Sequence, residues 1–82
     1  MPVEPPPGWT DDGQALVKSF DRRNFDGSIA FVNAVAAVAN RLNHHPDITV
    51  SWNEVKIRTW SHDVNAITER DAALAREIDA IA

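Results

Sequence analysis

The stretch that decides the fold runs from Asn43 to Arg58 and reads NHHPDITVSWNEVKIR. After its proline, apolar and polar residues alternate on both sides of Asn53-Glu54, which predicts two antiparallel strands joined by a two-residue loop. Pro46 disfavours α geometry in the residue before it, so a preceding helix must end between Asn43 and His45. We therefore expect a hairpin that follows directly on a helix exit carrying two adjacent histidines.

Two amphipathic helices are predicted, one on either side of this hairpin. Asn24 or Asp26 can cap the first helix, whose apolar residues recur at helical spacing as Ile29, Val32, Val35, Ala36, Ala39 and Leu42. The second helix starts at Thr68, with Asp71 completing a variant capping box, and runs to Ala82. Asp71 lies one turn before the apolar stripe of this helix, so we expect its carboxylate on the inward face.

The N-terminal part of the chain divides into an arm and a strand pair. Four prolines within residues 1–7 predict a flexible, proline-rich arm, and residues 8–82 form the folded domain. Around a turn at Asp11-Asp12-Gly13, the sequence predicts two further strands. The order β-β-α-β-β-α favours a two-layer α+β fold, with both helices on one face of a four-stranded antiparallel sheet. The other face would then lack a cover, so we expect a homo-dimer or homo-tetramer.

Composition excludes several classes of function. The chain has 82 residues and no cysteine, so it is one domain without disulfides or thiolate chemistry. Its net charge of -4 argues against direct binding to nucleic acid, whose partners usually carry a basic patch. Neither an export signal nor a membrane-spanning segment is recognisable, and we expect a cytoplasmic protein.

Three histidines, His44, His45 and His62, are the groups that titrate near neutral pH. In the predicted hairpin, Pro46 and Asp47 lie opposite Trp60 and Ser61, which brings the three imidazoles to one edge of the sheet. Such a cluster is typical of an acid–base site. Zinc is the rival use, but adjacent histidines usually point in different directions, so we expect no metal.

Other candidate residues allow two interpretations each, one structural and one functional. Asp71 is either a helix-capping carboxylate or a member of the site. Trp52 and Trp60 either stack on a flat heterocycle or serve as packing residues.

The motifs together resemble the pterin-4a-carbinolamine dehydratase family, over nearly the whole chain from about Gly8. The residues that carry the resemblance are Asn43-His44-His45-Pro46, Trp52, Ser61-His62 and Thr68-Glu69-Arg70-Asp71. Members of this family dehydrate 4a-hydroxytetrahydropterin to quinonoid dihydropterin, and so recycle tetrahydrobiopterin without a metal or organic cofactor. The resemblance implies that His44 and His62 are the catalytic acid and base. It also implies a substrate-binding set that comprises His45, Pro46, Ser61 and Asp71.

Two departures from the family pattern keep a second function open. Asn40, one turn before His44, stands where the family usually has an acidic residue, so a charge that would favour an imidazolium is missing. The helix that usually precedes the Gly8-Trp9 strand also has no counterpart in the sequence. The alternative is a non-enzymatic, dehydratase-like binding or chaperone module, similar to the RuBisCO assembly factor of α-carboxysomes. RuBisCO would then be the partner, and the protein would be carboxysome-associated.

Overall fold

The computed structural model describes residues 3–82, and its helices and strands follow the predicted order. Their bounds are β1 Thr10–Asp11, β2 Leu16–Asp21, α1 Phe25–Leu42, β3 Asp47–Ser51, β4 Glu54–Thr59 and α2 Glu69–Ile81. All strand pairs are antiparallel, and the strand order across the sheet is β1-β2-β4-β3. Both helices pack on one face of this sheet, which confirms the predicted α+β architecture.

The core lies between the helices and the inward-facing residues of the sheet. Strand β4 is the central contributor, because its alternate side chains Val55, Ile57 and Thr59 are all buried. From the helices, the largest fully buried side chains are Val35, Leu74 and Ile78. The buried polar residue Thr59 interrupts this apolar set at the end of β4, where the candidate site begins.

The turn between β3 and β4 differs from the prediction by one residue. Ser51 pairs with Glu54, so the two-residue loop is Trp52-Asn53 rather than Asn53-Glu54. Asp47 consequently pairs with Arg58, and not with residues 60 or 61. The sequence pattern was misleading because Trp52 continues the apolar alternation, yet its positive φ of 45° places it in the turn. A slip of two in the pairing leaves each side chain on its predicted face.

The face of the sheet without helices is polar, which contradicts the expectation of an uncovered apolar surface. Its outward positions include Ser19, Thr49, Glu54 and Lys56, all of which are exposed. Such a face can contact water without loss of stability. The predicted homo-oligomer therefore gains no support from this face.

The N-terminal segment is anchored from Pro6 onward, in contrast to the predicted flexible arm. Pro6 is buried, and its carbonyl accepts a hydrogen bond of 3.0 Å from the Trp9 amide. The Trp9 indole donates to Asp79 Oδ2 at 3.0 Å, and Lys18 Nζ donates to Asp79 Oδ1 at 2.9 Å. Met1 and Pro2, which the prediction also assigned to the arm, lie outside the described residues.

Candidate active site

The end of helix α1 sends two adjacent histidines in different directions. Asn43 adopts a left-handed conformation, with φ 51° and ψ 43°, and the amide of His44 reaches back to the carbonyl of Ala39. This geometry closes the helix, because asparagine tolerates positive φ and the returning amide satisfies a free carbonyl. The His44 side chain then turns inward, whereas the His45 side chain lies over the last turn of α1 and is exposed.

Asp71 is the buried centre of the site. It completes a capping box at the start of α2, because its Oδ2 accepts from the amide of Thr68 at 2.9 Å. Ser61 Oγ donates to the same oxygen at 2.9 Å, while Oδ1 accepts from Thr59 Oγ1 at 2.6 Å and from His44 Nε2 at 2.5 Å. The side chain has no exposed surface. Four donors, from the exit of α1, the end of β4 and the start of α2, therefore converge on one carboxylate.

These donors keep the carboxylate ionised. Burial by itself would raise the pKa of Asp71, but the hydrogen bonds from Thr59 and His44, and then those from Thr68 and Ser61, outweigh it. The pKa of Asp71 is consequently lowered from its ordinary value of 3.8. A buried negative charge thus lies directly behind His44.

The carboxylate fixes the orientation and the tautomer of His44. An ionised carboxylate can only accept, so Nε2 of His44 carries the shared proton. The other ring nitrogen, Nδ1, is then the atom through which His44 can exchange a proton with a bound molecule. Because the side chain is only 10% exposed, the packing around it holds the ring in this position.

Asn40 contacts His45, and not His44 as its spacing suggested. Its Oδ1 accepts a hydrogen bond of 3.0 Å from His45 Nε2. The left-handed turn at Asn43 brings this about, because it directs His45 back along the helix while His44 goes to Asp71. The expected effect of the missing acidic residue therefore falls on His45.

A cleft of about 330 Å³ brings all three histidines together, although the pairing of residues 46 and 47 with residues 60 and 61, on which the prediction of this convergence rested, was wrong. His62 follows β4, and its ring centroid lies 4.3 Å from that of Trp60. Arg70, from the first turn of α2, pairs with Asp63 at 2.7 Å on the rim. We call this the histidine cleft, and its lining comprises Asn43, His44, His45, Trp60, His62, Asp63 and Arg70.

The remaining predicted site residues do not line this cleft. Ser61 and Asp71 are fully buried, so they support His44 and the start of α2 rather than offering a free surface to a substrate. Pro46 is half-buried beside the cleft. Trp52 lies in the turn at the far end of the hairpin and is 70% exposed, which rules out stacking on a molecule bound beside the histidines.

Sequence reasoning did not find Thr59, Asp63 or Arg70 as site residues. Thr59 could have been found, since a hydroxyl at an inward position of an otherwise apolar strand needs a buried partner. Arg70 carries a weaker signal, because a cation in the first turn of a helix opposes the helix dipole and is there for another reason. Its partner Asp63 lies in a loop with no periodic pattern.

Two further properties complete the description of residues 3–82. Within this range, no three side chains of the types that ligate metals come close enough together to hold an ion. Neither helix is long and apolar enough to cross a bilayer.

The fold and the site define a class: a small α+β domain with a histidine-lined cleft at one end of an antiparallel sheet. Comparison with known proteins identifies the family within that class. The family model described as pterin 4 alpha carbinolamine dehydratase matches residues 2–81. A relative from Thermomicrobium roseum that bears the family's name is 46% identical, and the alignment covers 93% of this chain and 82% of the relative. The chain belongs to the pterin-4a-carbinolamine dehydratase family.

Solved structures agree with this assignment. A crystal structure from Brucella melitensis, described as a transcriptional coactivator/pterin dehydratase, superposes with a TM-score of 0.85 at 35% identity. The match covers 93% of this chain and 83% of the other. A second structure, described as a pterin dehydratase-like RuBisCO assembly factor of the α-carboxysome, has a TM-score of 0.71 at 24% identity. It covers 89% of this chain and 84% of the other, and at that identity it shows the shared fold alone.

Proposed function

We propose that this protein is a cytoplasmic 4a-hydroxytetrahydrobiopterin dehydratase, which removes water from 4a-hydroxytetrahydropterin to give quinonoid dihydropterin. The observation that carries the proposal is the bond of His44 Nε2 to the buried Asp71 carboxylate, with His62 lining the same cleft. Dehydration requires a base that takes a proton from a ring nitrogen and an acid that protonates the departing hydroxyl. Two imidazoles in one cleft provide both.

We assign a role to each histidine, and the hydrogen bond between His44 and Asp71 supports this assignment. His44 acts as the base, because its Nε2 donates to the Asp71 carboxylate and Nδ1 is then the ring nitrogen that can take a proton. His62 acts as the acid in its charged form, and gives its proton to the 4a hydroxyl, which leaves as water. The proton that His44 gains balances the one that His62 loses, so one exchange with solvent restores the site. His45 borders the pterin ring, Pro46 lies next to His45 outside the cleft lining, and Ser61 and Asp71 position His44.

A rate assay with enzymatically generated 4a-hydroxytetrahydropterin tests the proposal. His44→Ala and His62→Ala should each lower kcat by about a hundredfold or more, the usual size of a general acid–base contribution. Asn33→Ala is a suitable control, because Asn33 is exposed on α1. Turnover by both histidine variants at the wild-type rate would refute the assignment.

A second candidate function rests on a different surface. Phe25, Ile29 and Trp52 are 52%, 39% and 70% exposed, and Ser28 Oγ ties the start of α1 to the Trp52 carbonyl at 2.7 Å. Exposed apolar side chains in neighbouring parts of a surface are typical of protein contact, and Trp52 directly follows the edge strand β3. This surface supports a homo-oligomer, and it also suits a binding module that assists RuBisCO assembly in association with carboxysomes.

The same assay separates the two functions. A protein that accelerates dehydration, and that loses the acceleration with His44→Ala, is an enzyme. A protein without acceleration that binds RuBisCO, and loses the binding with Trp52→Ala, is an assembly module.

A further inference from the structure

A second cleft of about 380 Å³ adjoins the histidine cleft. Three parts of the chain form it: the β1–β2 turn, the end of β4 and the loop before α2. Its lining includes Asp11, Gln14, Arg58, Trp60, Asn65 and Ile67. None of these residues carries out the acid–base chemistry proposed above. We call it the tail cleft.

Trp60 is the wall that the two clefts share, because it lines both. On one side its ring centroid lies 4.3 Å from that of His62, and on the other it lies 5.0 Å from Cζ of Arg58. These three residues are alternate positions along one segment, so their side chains stand in a row. A flat ring bound beside His62 would therefore direct any substituent past Trp60 toward the tail cleft.

The charges around the tail cleft disfavour an anionic substituent. Arg58 Nε donates to Asp12 Oδ2 at 3.2 Å, and an Nη of Arg58 donates to Gln14 Oε1 at 3.0 Å, so the guanidinium is already paired. Asp11 is the carboxylate of the lining, and Asp12 lies outside the lining but pairs with Arg58. Two carboxylates against one guanidinium disfavour an anionic group.

The polar groups that remain suit a neutral, hydroxylated substituent. Gln14 uses its Oε1 to hold Arg58, which leaves its amide nitrogen to donate to a hydroxyl. Asn65 is exposed on the opposite rim, with a left-handed φ of 52°. Amides both donate and accept, and a hydroxyl can satisfy either. Trp60 and Ile67 offer apolar surface to a carbon chain that carries the hydroxyls.

We propose that the tail cleft is the subsite for the side chain of the pterin, and that Gln14 and Asn65 determine specificity for a neutral polyhydroxylated chain. This inference rests on the proposed dehydratase function, and deepens it by naming the residues that distinguish one pterin from another. Trp60 lies between the reacting pterin ring and the pterin side chain, and directs that side chain toward the tail cleft.

The test compares two substrates that differ only in the side chain at C6. One carries a 1,2-dihydroxypropyl group and the other a methyl group. The ratio of their kcat/KM values should favour the hydroxylated substrate in the wild type. Gln14→Met and Asn65→Gly should each lower that ratio about fivefold, the effect of one lost hydrogen bond. Glycine is chosen at position 65 because it accepts a positive φ.

Asn33→Ala, an amide removed from the exposed face of α1, should leave the ratio at its wild-type value. A third substrate, with an anionic glutamyl side chain, should be poorer than the hydroxylated one and should improve with Asp11→Asn.

An unchanged ratio in both cleft variants, with both substrates turned over, would overturn the subsite and leave the dehydratase intact. Absence of turnover for every pterin would overturn the dehydratase and the subsite together.

Discussion

His44 and His45 are neighbours in sequence, yet the protein supports them in opposite ways. His44 is 10% exposed and bonds to a buried carboxylate that three other donors hold in place. His45 is exposed and bonds to the neutral amide of Asn40. The first arrangement fixes a ring against a buried negative charge, whereas the second orients a ring through a neutral amide. The difference teaches that the hydrogen-bond partner of each ring, more than the histidine itself, decides which imidazole is suited to act as a base.

The largest expected effect comes from removing the charge behind His44. Asp71→Asn should lower kcat about a hundredfold or more, because the carboxylate no longer fixes the tautomer or stabilises the imidazolium. It should also lower the free energy of unfolding by about 2–4 kcal/mol, since an amide nitrogen replaces an acceptor among buried donors. Assays below the melting temperature, together with urea unfolding, measure the two effects separately.

A matched control for this variant is Asp79→Asn, which removes a partly buried carboxylate with two partners far from the histidines. It should lower stability without lowering kcat. Equal loss of activity in the two variants would mean that Asp71 acts through stability alone, and the contrast between His44 and His45 would disappear.

Low pH should weaken the interaction of the ionised Asp71 carboxylate with its donors. The pKa of Asp71 is lower in the folded protein than its ordinary value of 3.8, so folding favours the ionised form. The stability from this group is therefore present above about pH 5 and is lost as the pH falls through the folded pKa. Urea unfolding between about pH 6 and pH 2 should show wild-type stability falling more steeply than that of Asp71→Asn. Parallel plots of unfolding free energy against pH for the two proteins would show that another carboxylate governs the loss of stability in acid.

The smallest effect should come from giving His45 a charged partner. Asn40→Asp is nearly isosteric, and places a carboxylate where an amide oxygen lies 3.0 Å from His45 Nε2. It should favour the imidazolium form of His45, as NMR titration of the ring protons would report. The exposed site limits the change in kcat/KM to about fivefold, because surface ion pairs contribute about 1 kcal/mol or less. A change as large as that of Asp71→Asn would make His45 the principal base.

Much of the fold was predictable because each element carries its own local signal. Asn24 caps α1 and Thr68 with Asp71 caps α2, as the sequence indicated, and Pro46 marks the helix exit. The β3–β4 turn was misplaced because the register depended on a tryptophan with positive φ, which apolar alternation cannot reveal.

The site was predictable only as far as convergence of its histidines. Hairpin geometry brought His44, His45 and His62 to one cleft, but the partner of Asn40 depends on the left-handed turn at Asn43. That turn decides which of two adjacent side chains faces the core. Spacing along the helix carries no information about it.

The bonds around Asp79 have a consequence for the order of events during synthesis. Trp9 and Asp79 lie 70 positions apart, yet the indole of one donates to the carboxylate of the other. Early strands can pair as they leave the ribosome, but Trp9 and Lys18 wait for a partner that lies 70 and 61 positions further along the chain. The contacts that Trp9 and Lys18 make with Asp79 therefore form only after synthesis has passed that residue, and a chain stalled before it would lack both bonds.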